Sequence, residues 1–169
     1  MKFLEIEQKY RLKDPRKVRA LLKKAGAKKI RQGTEFNEFF DKNGFLRDQK
    51  VALRLRRHGG GQAVLTLKGP RLKSRFSKRM EVETSVDYKA AKALLAFFGC
   101  ARVMHYQKKR ESYRLGRALV TLDLLPGFGW FLEIEARPCE ITRIAVRLGL
   151  RPSDRELRSY LYMMFHWKH

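Results

Sequence analysis

Residues 3–12 read FLEIEQKYRL, and how this stretch is folded decides how the rest of the chain is read. In a β-strand, alternate side chains point to the same face. A strand here sets Glu5, Glu7, Lys9 and Arg11 on one side and Ile6, Tyr10 and Leu12 on the other. In a helix the same charges scatter around the axis and no row forms. Two carboxylates followed by two cations make a row suited to a metal ion and then to phosphate groups.

The alternation recurs along the chain. FNEFFD (36–41) reads as a strand closed by an Asn43-Gly44 turn. VALRLRR (51–57) sets Ala52, Arg54 and Arg56 against Leu53 and Leu55. After a hairpin turn at HGGGQ (58–62), AVLTLKGP (63–70) sets Val64, Thr66 and Lys68 against Leu65 and Leu67. KRMEVETSV (78–86) brings Arg79, Glu81 and Glu83 together. HYQKKRESYRL (105–115) gives Lys108, Arg110 and Ser112, although a slip of one residue in the QKKR run turns Gln107 and Lys109 inward instead. RALVTLDLL (117–125) presents Thr121 with Asp123. Beyond turn glycines at Gly127 and Gly129, WFLEIEA (130–136) presents Glu133 with Glu135.

Helical periods fall between and after these strands. Asp14-Pro15 opens one, with Val18, Leu21 and Leu22 as its apolar stripe and Gly26 as its stop. Asp87 caps YKAAKALLAFFG, whose Ala91, Leu94, Leu95 and Phe98 are expected to face inward. ITRIAVRLGL (141–150) and DRELRSYLYMMF (154–165) complete a set of about four peripheral helices. No repeat or linker divides the chain, so residues 1–169 are expected to form a single domain.

Composition narrows the function classes. An apolar content of 44% suits a globular core rather than disorder. No segment reaches the roughly 20 apolar residues that span a bilayer, and the acids of MKFLEIEQKYRL interrupt what a signal peptide keeps apolar. Together with only two distant cysteines, Cys100 and Cys139, this leads us to expect a cytoplasmic protein with no membrane association. The balance of 39 Lys and Arg against 17 Asp and Glu, a net charge of +22, favours polyanions such as triphosphates, polyphosphate or nucleic acid. The alternative for the same charge is a solvated, soluble surface.

The polar faces of the strands are nearly all Glu, Arg, Lys and Asp. From pattern alone two arrangements stay open: strands whose charged face meets water, or a closed barrel whose charged face lines the interior. Such an interior is costly unless its acids and bases pair or bind metal and phosphate.

The ordered motifs resemble the CYTH superfamily, the triphosphate tunnel metalloenzymes. Glu5-Ile6-Glu7-Gln8-Lys9 matches the family's Glu-x-Glu-x-Lys signature. LRLR (53–56), LTLKGP (65–70), RMEVE (79–83), KKRESY (108–113), VTLD (120–123), GFGWFLEIE (127–135) and RSYL (158–161) follow in the family's order. The KGP turn, the Gly-x-Gly before the last acidic strand and the late Ser-Tyr are most similar to the class IV adenylate cyclase-like branch. The resemblance implies an α+β fold: a closed eight-stranded antiparallel β-barrel, a tunnel with a charged interior.

By the same resemblance, Glu5, Glu7, Glu133 and Glu135 bind Mg²⁺ or Mn²⁺, with Asp123 as a further acid near the metal. Lys9, Arg54, Arg56, Lys68, Lys108 and Arg110 hold the triphosphate, while Arg79, Glu81 and Glu83 line or support the tunnel. The family often dimerises, so a homodimer is also an expectation. One departure stands in the second strand, where Asn37 occupies a place that is usually Asp, two residues before the aromatic Phe39. Ser159 and Tyr160 either close the tunnel or pack the last helix, and the five cations of RLKSRFSKR (71–79) form either a capturing flap or a solvated loop.

Three functions follow as expectations. One is a metal-dependent enzyme that cleaves ATP or another triphosphate, by cyclisation to cyclic AMP and pyrophosphate or by hydrolysis of the terminal phosphate. The second is a triphosphatase restricted to inorganic tripolyphosphate or thiamine triphosphate. The third is a non-catalytic binder of RNA or polyphosphate, against which the inward acids count, since they repel a polyanion unless a metal intervenes.

Overall fold

The computed structural model describes residues 4–58 and 63–166. Eight strands, β1 (Leu4–Leu12), β2 (Lys28–Asp41), β3 (Ala52–His58), β4 (Ala63–Arg71), β5 (Ser77–Val86), β6 (Ala101–Leu115), β7 (Ala118–Leu125) and β8 (Gly129–Glu135), form one closed barrel. Its order is β1-β5-β4-β3-β2-β6-β7-β8, and every neighbouring pair is antiparallel. Closure leaves no long free edge and separates an inner from an outer face along each strand. Of the HGGGQ turn expected between β3 and β4, His58 ends β3 and 59–62 lie outside the described residues.

Because the charged faces turn inward, the hydrophobic core lies outside the barrel. Tyr10, Val120, Leu122, Leu132 and Ile134 point outward beneath helices α1 (Pro15–Lys24) and α4 (Pro138–Arg147). Asp14 caps α1 by accepting from the Arg16 amide at 2.8 Å, Pro15 supplies a preset φ, and Gly26 at φ 78° ends the turn. Val18 and Leu22 are buried as the period requires, and Leu21 packs at the margin. On another side, α3 (Tyr88–Phe97) seats Ala91 and Leu95 on Phe40, Leu55 and Ala63.

Several boundaries differ from the sequence expectation. β2 starts at Lys28, eight residues before FNEFFD, and pairs there with β6 only. With no neighbour on its other edge among the described residues, this half is solvated on both faces and shows no apolar alternation. Leu94 and Phe98 of α3 are 58% and 62% exposed, so its buried stripe is narrower than expected. A one-turn helix, α2 (Phe45–Asp48), follows the Asn43-Gly44 turn because the Asp41 carboxylate accepts from the Leu46 and Arg47 amides.

The segment DRELRSYLYMMF is not one helix. A 3₁₀ turn at Pro152–Asp154 gives way to extended chain that bridges Tyr10 to Arg155, and the Glu156 amide donates to the Lys9 carbonyl. Only α5 (Tyr160–Phe165) is helical, restarted by the Ser159 hydroxyl accepting from the Tyr162 amide. Among the described residues no helix is long and apolar enough to cross a membrane.

The outward core is expected to carry the barrel's stability. Leu122→Ala, at a fully buried position, should cost about 2–5 kcal/mol in urea unfolding. Phe98→Ala on the exposed side of α3 should stay within about 0.5 kcal/mol.

Candidate active site

The barrel interior holds a cavity of about 170 Å³. Seven cationic side chains line it: Lys9, Arg54, Arg56, Lys68, Arg79, Lys108 and Arg110. Six carboxylates face them: Glu5, Glu7, Glu81, Glu83, Glu133 and Glu135. Thirteen of the fourteen residues singled out in the sequence therefore share one cavity. The QKKR ambiguity resolves with Lys108 buried and Lys109 exposed, because Arg110 stands opposite Asp123 in the β6–β7 register. Asp123 alone among the fourteen lies behind the cavity surface.

Strand register explains the groupings. Glu7 stands opposite Glu135 and Lys9 opposite Glu133 where β1 meets β8. On the far wall, Asn37 lies between Arg56 of β3 and Tyr106 of β6, and Phe39 stands opposite Arg54. Acids for a cation thus concentrate on the β1–β8 wall, and guanidinium groups concentrate across the tunnel from it.

Each charge is held by opposite charges. Lys68 Nζ lies 2.9 Å from Glu5 and 2.7 Å from Glu81, and Arg79 Nε donates to Glu5 at 3.0 Å. Arg110 grips Asp123 through Nε at 2.6 Å and Nη2 at 2.5 Å, and reaches Glu133 at 2.6 Å. Lys108 adds a 3.0 Å contact to Asp123, and the Tyr160 hydroxyl donates to the same carboxylate at 2.9 Å. With four donor contacts on its two oxygens, Asp123 is placed to brace the cations. Glu83 accepts from Arg54, Arg56 and Thr66, yet its side chain is 40% exposed and is the acid best placed to swing away.

These pairings set the protonation of the tunnel. Burial alone would raise Glu5, but Lys68 and Arg79 outweigh it and hold the carboxyl far below the usual range. Glu7 goes the other way: burial, then the charges of Glu133 and Glu5, push it up to about 7. Burial also pushes Glu81 up to about 8, opposed by Lys68 and aided by its hydrogen bond with Glu5. At neutral pH two of the six lining acids, Glu7 and Glu81, are therefore wholly or partly neutral, and burial lowers Lys9 against the pull of Glu133 and Glu7.

Among the described residues no three acids already converge on one point as a finished metal centre. The donor set nonetheless fits a hard divalent ion. Mg²⁺ takes oxygen ligands and is held by one or two carboxylates together with substrate phosphates and water. The crowding that raises Glu7 beside Glu133 is the repulsion such an ion would relieve. Glu7, Glu133 and Glu135 on adjacent strands are the residues that would hold it.

Sequence reading missed several members of the site. Glu35 is buried against Lys108 at 3.6 Å and Arg110 at 3.7 Å, and those cations overcome its burial to hold it at about 2. The expected strand began at Phe36, one residue beyond it, although stepping back by two from Asn37 reaches it. Tyr106, two residues before Lys108, lines the cavity with Phe39. Asn37 is buried inside the barrel, and among the described residues neither atom of its amide finds a hydrogen-bond partner. The Nε atoms of Arg54 and Arg56 and the Thr121 hydroxyl are likewise buried without partners. At the end of β4, Arg71 is latched to the Leu157 carbonyl at 2.6 Å, while Leu72 to Arg75 in the following loop are exposed.

Comparison with known proteins agrees with this architecture. The chain is 33% identical over 136 residues to “Putative adenylate cyclase MJ0240” of Methanocaldococcus jannaschii, covering 78% of this chain and 76% of that protein. The crystal structure of a “putative adenylate cyclase” from Vibrio parahaemolyticus superposes with a TM-score of 0.86 at 25% identity, covering 95% of this chain and 97% of that one. The PH1012 protein of Pyrococcus horikoshii OT3 superposes with a TM-score of 0.80 at 26% identity, covering 93% and 97%. The CYTH domain model matches residues 4–144, all eight strands and most of α4, and the chain accordingly belongs to the CYTH family.

Proposed function

We propose that this protein is a metal-dependent enzyme that draws a triphosphate chain into the barrel and hydrolyses its terminal phosphate. The observation that carries this reading is the convergence of seven cationic side chains on a cavity of about 170 Å³. That volume is below the roughly 300 Å³ at which sites for drug-sized ligands begin. It suits a compact phosphate chain, with the remainder of any larger substrate outside the tunnel.

In this account Lys9, Lys68 and Lys108 act as point charges on phosphate oxygens, while Arg54, Arg56 and Arg110 offer planar, two-pronged contacts. Entry of the triphosphate displaces Glu83 from Arg54 and Arg56, and the unpartnered Nε atoms of these arginines gain acceptors. Asp123 and Glu35 stay behind the wall and keep Lys108 and Arg110 aimed inward. Glu7, Glu133 and Glu135 would hold Mg²⁺ or Mn²⁺, which supplies charge neutralisation at the phosphates being separated. Phosphoryl transfer depends chiefly on such positioning and electrostatics. The chain's net charge of +22 draws polyanions toward the tunnel from outside.

A second reading is cyclisation of ATP, carried by the cyclase name of the Methanocaldococcus relative and by Phe39 and Tyr106, which offer aromatic faces at the cavity surface. Product analysis separates the two. Orthophosphate released from tripolyphosphate or ATP with Mg²⁺ or Mn²⁺ supports hydrolysis, and cyclic AMP with pyrophosphate supports cyclisation. Absence of turnover with every triphosphate, alongside retained polyphosphate or RNA binding, would leave only a binding role.

Arg54→Ala is expected to lower kcat/KM for tripolyphosphate by roughly 10- to 100-fold, the loss of a charge-assisted contact. Steady-state phosphate release checks this, and chelation of divalent ions should abolish turnover in the parent protein.

A pH prediction follows from Glu7. Its carboxylate forms only as pH rises through about 7, so turnover at limiting metal should climb between about pH 6 and 8. More metal should shift that limb to lower pH. In the metal-free protein the sign for stability is opposite. A carboxyl whose folded pKa lies above its unfolded value stabilises fully at low pH and loses that contribution as pH rises through about 7. Melting with and without Mn²⁺ across this range, in the parent and in Glu7→Gln, checks both signs.

A further inference from the structure

We infer that Tyr160, on the C-terminal segment beyond the eight strands, is a positioning residue that forms the floor on which Lys9 and Lys108 are held for the triphosphate. The inference rests on the reading that the tunnel takes a triphosphate chain. The observation behind it is that one buried ring meets two of the phosphate-facing lysines and the acid that braces a third cation. Lys9 Nζ lies 3.9 Å and Lys108 Nζ 4.6 Å from the Tyr160 ring centroid. The hydroxyl donates to Asp123 at 2.9 Å, and Asp123 in turn grips Arg110.

The ring itself is fixed. It packs edge-on against Phe131 at 5.4 Å and Tyr106 at 6.4 Å, and it is 6% exposed. Ser159 caps the short helix behind it, and the Arg158 carbonyl accepts from Lys9 Nζ at 2.7 Å. The backbone before Tyr160 is tied to β1 through the Glu156 amide and to the end of β4 through Arg71. The segment 155–160 is thus a strap drawn across one side of the tunnel, with Tyr160 as the group that reaches inside.

An aromatic face attracts an ammonium group without using up its hydrogen-bond donors. Lys9 gives one donor to Arg158 and keeps others for the cavity. Without the ring, Lys9 has Glu133, 3.9 Å away, as its nearest charged partner, and Lys108 has Asp123 and Glu35. Lys9 would then be free to swing onto Glu133, and Lys108, already 3.0 Å from Asp123, to draw further toward that carboxylate and Glu35. The ring holds the two charges side by side at the cavity surface, and the hydroxyl keeps Asp123 turned to Arg110 and Lys108.

Two variants separate the ring from the hydroxyl. Tyr160→Phe keeps the face and loses the bond to Asp123, whereas Tyr160→Leu loses both; Tyr160→Met, an unbranched filler, replaces leucine if that variant does not fold. Calorimetric titration of tripolyphosphate into chelator-treated protein reads binding, and phosphate release with Mg²⁺ reads kcat and KM. Tyr160→Leu is expected to weaken tripolyphosphate binding about tenfold or more, with the loss in KM exceeding that in kcat. Tyr160→Phe should stay within about threefold in binding. Lysine ε-methylene NMR signals shifted by the ring current should be present in the parent and in Tyr160→Phe and absent from Tyr160→Leu.

Equal binding in the parent and Tyr160→Leu, or no ring-shifted lysine signals in the parent, overturns the inference while leaving the triphosphate reading standing. A parent protein that does not bind tripolyphosphate overturns that reading itself, and the positioning role with it.

Discussion

A buried charge is tolerated in a folded protein only when its partner is buried with it, and this barrel is organised around that constraint. The clearest case is the cluster of Arg110, Asp123, Lys108 and Glu35, in which every group meets an opposite charge within 4 Å. Because β6, β7 and β2 each supply a member, the cluster ties three strands in one register. Glu5, Lys68, Glu81 and Arg79 do the same for β1, β4 and β5. Turning these faces inward forces the apolar faces outward, and the helices are needed to cover them.

The two clusters differ in how firmly they close. Asp123 is fully buried with all its capacity used, and it acts as a fixed anchor. Glu83 is partly exposed and holds two arginines at 3.3 Å, longer contacts than those around Asp123. Glu7 and Glu81 are crowded enough to hold protons near neutral pH. The interior therefore combines rigid pairs that aim cations with looser pairs that a polyanion and a divalent ion can replace. Cations alone would suffice to grip a polyanion; the acids of this tunnel pair those cations and, in the function proposed, also supply carboxylates for a divalent ion.

Much of this was legible in the chain. Eight charged–apolar alternations give eight strands; alternation alone left open whether the charged faces meet water or line a lumen, the family resemblance pointed inward, and thirteen of the named side chains line one cavity. What escaped did so for physical reasons. The first half of β2 pairs with β6 alone among the described strands and is solvated on both faces, so it carries no alternation, and Glu35, the first residue to pair on both edges, was passed over next to it. The helical period of 154–165 is broken by tertiary contacts, since Glu156 and Arg155 satisfy their backbone on β1 instead of within a helix. Tyr160 could be named as a residue near the tunnel, but its contact with two lysines depends on that break. The neutral Asn37 was visible as a departure, whereas its lack of a hydrogen-bond partner is a property of the folded interior alone.

The central claim is that a triphosphate and a divalent cation take over the tunnel's looser ion pairs. Its most direct test is a crystal structure of the protein with Mn²⁺ and a non-hydrolysable triphosphate, read with anomalous diffraction. The account predicts a manganese peak bounded by Glu7, Glu133 and Glu135, phosphates on Arg54 and Arg56, and Glu83 released from both arginines. A tunnel whose ion pairs are unchanged, with the ligand bound only on the basic exterior, would contradict it.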